Sequence, residues 1–152
     1  MAINFDKFAA EGNEFINELS RNLGHENNKA QVGILLRAVL HELRDCLTFA
    51  QSLNLISQFP MFLKALYVEQ WKHSEHPPRI KTLEEFANRV EEEQRKFGER
   101  QFNWNESTID LVSTVLNTLY KKYLTEGQIE DMRAELGGEL KSLFPEFAKT
   151  KA

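Results

Sequence analysis

Three groupings of side chains have types and spacings that could do chemistry. His73 and His76 stand in Lys-His-Ser-Glu-His, a three-residue spacing that metal sites use. A structural zinc site needs four ligands and a catalytic one three. Only Glu75 and Glu69 are near, and a proline-bearing segment offers no rigid scaffold. The better reading is a solvated linker, locally cationic through Lys72, Arg79 and Lys81 against Glu75. It gains charge below pH ~6.5 as both histidines protonate. Arg37, His41 and Arg44 recur at spacings of four and three along one flank of a helix. Two guanidinium groups placed so would grip a carboxylate or phosphate, a weak anion-binding site. The competing reading is an ordinary polar face paired with Glu42, Asp45 or an acidic first helix. Cys46 has no His and carboxylate in motif-like placement around it, so it reads as a small core residue rather than a nucleophile. Glu91, Glu92 and Glu93 read as a solvent-facing run.

Other chemistries lack their signatures. There is no glycine-rich phosphate loop, Gly-x-Ser-x-Gly elbow, Cys-x-x-Cys pair or His-Glu-x-x-His, so no catalytic residue, metal or cofactor is assigned. With a net charge of −4 and no dense Lys/Arg stripe, the chain is expected not to bind nucleic acid. The longest apolar stretch, Phe59 to Val68, is interrupted by Lys64 and is too short to cross a bilayer. No export signal opens the chain, and a single cysteine cannot form an internal disulfide, so a reducing cytoplasmic interior is expected.

Whatever these residues do, helices must position them. Phe5, Phe8, Ala9, Gly12, Phe15 and Leu19 recur at the three-to-four spacing of one helical face, and Val32, Leu35, Leu36, Val39, Leu40 and Leu43 repeat the pattern. No stretch alternates as a strand does, so the expected class is all-α. Periodicity predicts helices over about 3–22, 28–46, 49–58, 60–71, 83–97, 106–123, 126–136 and 138–147. Thr48 with Gln51, Thr82 with Glu85 and Thr125 with Gln128 have capping-box spacing. Gly98 is placed to end its helix in a left-handed conformation, and Pro60 to open one.

The matched Thr-x-x-Gln boxes suggest an internal repeat. A shift of 77 residues lays Thr48 on Thr125, Leu63 on Leu140, Leu66 on Leu143 and Tyr67 on Phe144. A shift of 76 lays Val39, Leu40 and Leu43 on Val115, Leu116 and Leu119, and one of 71 lays Phe15 on Phe86. The expected architecture is one compact domain over 1–152, a bundle of about eight helices. Two pseudo-symmetric four-helix repeats, about 3–71 and 82–147, flank a linker at 72–81 containing Pro77 and Pro78. Halves of roughly 75 residues make marginal cores alone, so the two are expected to shelter each other.

The run from Gln58 to Trp71 is the most distinctive: Gln-apolar-Pro, further apolar residues, the basic Lys64, then Tyr67 and Trp71. Pro77, Pro78, Arg79 and Lys81 followed by Glu85 and Phe86 extend the pattern. The sequence resembles an uncharacterised bacterial family, the domain-of-unknown-function family numbered 2267. The likeness covers most of the chain and is specific over residues 58–86. The resemblance implies a small, duplicated helical protein; it implies no activity, and there are no catalytic residues to carry over.

Read physically, Phe59, Phe62, Leu63, Leu66 and Tyr67 form one apolar stripe, and Met61, Ala65 and Val68 a second on another face. Two readings stand open. The helix is either a buried central one, with Met61 and Val68 packing towards Gly138 and Ser142, or an exposed apolar groove or oligomer surface. In the second case Met61, Lys64, Ala65, Tyr67, Val68 and Trp71 are the binding residues. Ile34 and Ala38, off the main stripe of their helix, add apolar surface. The expected function is a non-catalytic cytoplasmic protein-interaction module that binds a protein partner or a second copy of itself. The alternative is a carrier or sensor of an apolar small molecule held between the repeats. An enzyme, which would rest on His41, Arg37 and Arg44, ranks third.

Overall fold

The computed structural model describes residues 3–72, 79–98 and 101–145. They form a compact all-α body with no strand. Its elements are α1 (Phe5–Leu23), α2 (Lys29–Cys46), α3 (Phe49–Ile56), α4 (Met61–Val68), α5 (Leu83–Lys96), α6 (Thr108–Tyr123), α7 (Glu126–Glu135) and a 3₁₀ helix (Gly138–Leu143). The linker readings placed on His73, Glu75, His76, Pro77 and Pro78 lie outside the described residues, as do residues 146–152.

Side-chain caps start the helices where the sequence puts them. Thr48 Oγ1 accepts from Gln51 N at 3.1 Å while Gln51 Oε1 accepts from Thr48 N at 2.7 Å. Thr125 and Gln128 repeat this at 3.2 and 2.8 Å. Each box satisfies two otherwise orphaned N–H groups. The box expected at Thr82 is only half made. Thr82 accepts from Glu85 N at 3.1 Å, but the added acceptor at this helix start is Glu139 Oε2, 2.9 Å from Leu83 N. Gly24 (φ 74°) and Gly98 (φ 101°) take the left-handed conformation that follows helix ends without a Cβ penalty.

The central helix is α2. It touches α1, α4, α5 and α6, and it buries ten residues, among them Leu35, Leu36, Ala38, Val39 and Leu43. Ala38 is therefore core rather than surplus surface. Truncating such a residue as fully buried Leu43 to Ala removes contacts worth about 2–5 kcal/mol.

Two expectations about the short helices need correction. Helix α4 is eight residues long rather than twelve. It stops at Val68, and Gln70 sits at φ 56°, where an α-helix cannot continue. Only one side of it is covered: Leu63 and Tyr67 are buried, and the Phe62 ring lies against α1. Met61 and Val68 are 52% and 43% exposed, and what stands beside Gly138 is Lys81 O rather than either of them. Among the described residues, nothing covers the outer face of this short helix laid in the groove between α1 and α2. The segment from Gly138 is a 3₁₀ helix ending at Leu143. Gly137 and Gly138 weaken helix formation there, Gly138 is left-handed at φ 60°, and Pro145 disfavours α geometry in the residue before it.

Candidate functional site

Arg37, His41 and Arg44 do converge, and what they converge on belongs to the chain itself. The last carbonyl oxygens of a helix have no intrahelical donor, and those at the end of α4, which stops at Val68, need donors from elsewhere. Arg44, 9% exposed, donates through Nη1 to Tyr67 O and Glu69 O, both at 2.7 Å. The His41 ring, 4% exposed, places Nε2 2.9 Å from Leu66 O. A carbonyl oxygen can only accept, so Nε2 carries the proton. Arg37 pairs with the Glu69 carboxylate at 3.0 Å and stacks its guanidinium 4.9 Å over the Phe97 ring. Two cationic side chains and an imidazole from α2 thus cap the negative end of α4. The acceptors that Arg44 Nη1, His41 Nε2 and Arg37 Nε meet are thus backbone oxygens at the end of α4 and the Glu69 carboxylate.

Electrostatics keep His41 neutral near pH 7. Burial, and then the neighbouring Arg44 charge, push its pKa below the ordinary value. The Glu93 carboxylate faces Nδ1 at 3.8 Å and acts against that shift. Behind the cap, Arg89 of α5 joins Glu42 at 2.7 Å and Asp45 at 3.3 Å. Glu42 is 3% exposed, and burial raises its pKa while Arg89 opposes the rise. Burial, with Glu42 and Asp45 behind it, pushes the Cys46 thiol up to about 12. A thiol so protonated is a poor nucleophile, in keeping with its reading as core. Sequence reasoning gave Arg89 and Phe97 no part in this cluster and set Glu69 beside the histidines. Its solvent-facing run holds for Glu92, but Glu91 and Glu93 are half-buried, Glu91 accepting from Thr108 and Glu93 facing His41. The available signal was α5 itself, whose charged face would have to meet something on α2.

The residues named for a binding surface divide. Tyr67 is fully buried, its hydroxyl 2.7 Å from Ser52 Oγ, and so offers no contact surface. Met61, Ala65 and Val68, at i, i+4 and i+7, all face outward, and Lys64 flanks them half-buried. Trp71 is half-buried, its ring 5.8 Å from Tyr67 and 5.7 Å from Phe49. Phe49 and Leu53, one turn apart on α3, are 49% and 46% exposed. The outward apolar side chains therefore run from Met61 along α4 to Trp71, then across the ring contact to Phe49 and Leu53. Phe49 and Leu53 escaped the sequence reading because α3 was judged by its cap rather than its outer face.

Among the described residues, no three His, Cys, Asp or Glu side chains are grouped to hold a metal ion, and no helix is long and apolar enough to cross a membrane. No curated protein matches the chain. A family model described as an uncharacterized conserved protein, DUF2267, matches residues 12–143, most of the chain, and the chain belongs to that family.

Proposed function

We propose that this member of the DUF2267 family is a non-catalytic protein-interaction module that associates through the outer face of α3 and α4, with a second copy of the chain as the leading partner. One observation carries the reading. Met61, Val68, Phe49 and Leu53 are each between 43% and 52% exposed, and Trp71 links the two pairs into one continuous apolar strip. Single exposed apolar residues are ordinary on soluble proteins, but a connected strip of large ones marks a contact surface. The helix presenting it is held by the Arg44 and His41 cap, so the strip is a fixed feature of the fold and needs no ordering on binding. A cytoplasmic setting fits the lone, half-buried Cys46.

The body behind this surface is read as two pseudo-symmetric repeats, about 3–71 and 82–147, in one domain. Several contacts support that correspondence. Both Thr-x-x-Gln boxes form. Arg44 of α2 donates to Tyr67 O at the end of α4, while Tyr120 of α6, its counterpart at a shift of 76, donates at 2.9 Å to Leu143 O, the counterpart of Leu66 and so one residue earlier. The Phe62 ring meets Gly12, and its counterpart Glu139 meets Leu83, the counterpart of Gly12.

Sedimentation velocity over a concentration series tests the function. The wild-type chain is expected to show reversible self-association that Met61→Glu abolishes. At 52% exposure the substitution leaves the core intact, so circular dichroism and the unfolding midpoint stay close to wild type. A wild-type chain that stays monomeric at millimolar concentration sinks the proposal of self-association.

A further inference from the structure

Between α5, α6 and the 3₁₀ helix lies a recess of about 170 Å³. Phe86, Val112, Leu116 and Leu143, all buried, form its floor, and Leu83 and Pro145 stand at its sides. Ser113, Asn117 and Ser142 are exposed at its mouth. None of the lining side chains is charged.

The first half shows what fits such a place. Under the repeat correspondence, Leu83 and Phe86 answer to Gly12 and Phe15, and Glu139 answers to Phe62. The Phe62 ring lies 3.4 Å from where a Cβ on Gly12 would stand, and its centroid is 5.7 Å from that of Phe15. In the second half Glu139 turns its carboxylate to Leu83 N instead, and the space beside Phe86 stays open to the outside. One half closes the recess with its own phenyl ring; the other leaves room for a ring supplied from elsewhere.

We infer that this recess is a binding site for a neutral, single-ring aromatic molecule bearing one hydrogen-bonding substituent. The ring lies on Phe86, Val112, Leu116 and Leu143, and the substituent meets Ser113, Asn117 or Ser142. Size agrees, since an apolar cavity of about 150 Å³ suffices for benzene. The uncharged lining selects against ionised ligands, whose desolvation nothing there would offset. The site lies on α5 and α6, apart from the strip on α3 and α4, and rests on the repeat reading only for the kind of ring it takes.

Benzyl alcohol, titrated into the ¹⁵N-labelled chain and followed by amide chemical shifts, tests this. Saturating shifts are expected at Phe86, Val112, Leu116 and Leu143, with a midpoint on the order of 1 mM for so small a ligand. Ala87, which lines the recess on α5, becomes a plug in Ala87→Phe, and the midpoint should rise at least about tenfold. If that crowded variant does not fold, Ser113→Trp at the exposed mouth is expected to block entry without touching the core. Shifts that stay linear to 10-fold above ~1 mM, or that fall on the α3–α4 strip, overturn the site. Glu139→Phe separates the two ideas. If it blocks binding as Phe62 closes the first half, site and correspondence both stand. If Ala87→Phe blocks and Glu139→Phe does not, the site stands and the correspondence fails.

Discussion

Replacing Arg44 by Met keeps most of the buried stem and removes the guanidinium that holds the end of α4. Two carbonyl oxygens then lose donors at 2.7 Å. Tyr67 is fully buried, so its carbonyl cannot turn to water, and an unsatisfied buried acceptor costs about 1–3 kcal/mol. Glu69 is half-buried, so its carbonyl is rehydrated at a cost of roughly 0–1 kcal/mol. Loss of a cation from the negative end of the helix adds about 0.3–1 kcal/mol. Relief from burying a charge offsets part of this. The net expectation is a loss of roughly 2–4 kcal/mol, which at about 2–4 °C per kcal/mol lowers Tm by some ~5–15 °C. Urea unfolding with an unchanged m-value measures it, and hydrogen exchange locates it, with the amides of Tyr67 and Val68 speeding up first. Arg44→Lys retains a charge but not the reach and planar geometry of the guanidinium, and should lose about half as much. A loss under ~1 kcal/mol for Arg44→Met, or exchange that rises uniformly along the chain, would refute the capping role.

Further outcomes follow from the same geometry. The folded state holds the pKa of His41 below that of the unfolded chain, so the unfolded state takes up the proton first; stability is present above pH ~6.5 and falls as pH drops below it. The difference between wild type and His41→Gln, whose amide can still donate to Leu66 O, isolates this slope in paired urea titrations, because Glu42, whose pKa is raised, contributes equally to both. Tyr120→Phe removes the only donor to Leu143 O that is described and should cost about 1–2 kcal/mol, less than Arg44→Met, by the same urea assay. Cys46, half-buried and with its thiol pushed up to about 12, should react slowly with a maleimide or disulfide reagent at pH 8 and rapidly in denaturant; fast labelling of the native chain would contradict that raised pKa.

Local rules made much of the fold legible. Thr48, Thr82 and Thr125 stand at helix starts because a capping side chain reaches only three residues, well within what a sequence displays. The outer edge of α4 was not legible. Its residues are apolar on nearly every side, and such a pattern says that the helix wants cover without saying which side receives it. The cluster of Arg37, His41 and Arg44 was visible as a cluster, but its ligand was not. The carbonyls it serves lie more than twenty residues away and become acceptors only because α4 breaks off at Val68. The α4 helix in turn appears longer in the sequence than it is, since nothing in Glu69 and Gln70 announces a break.

The cap and the strip are mechanically one device. An eight-residue helix is too short to be stable alone, so α4 owes its existence to what grips it: Leu63 and Tyr67 beneath, and Arg44 with His41 at its end. The face that points outward, Met61 to Val68, is therefore only as ordered as that grip. Arg44→Met should weaken association through α4 even though Arg44 is buried and touches no partner, whereas Met61→Glu should abolish association at unchanged stability. Measured together by sedimentation and urea unfolding, the two variants separate a surface contact from its support. If Arg44→Met destabilises the chain and leaves association untouched, the contact surface lies elsewhere than on α4, and the role proposed for the strip fails with it.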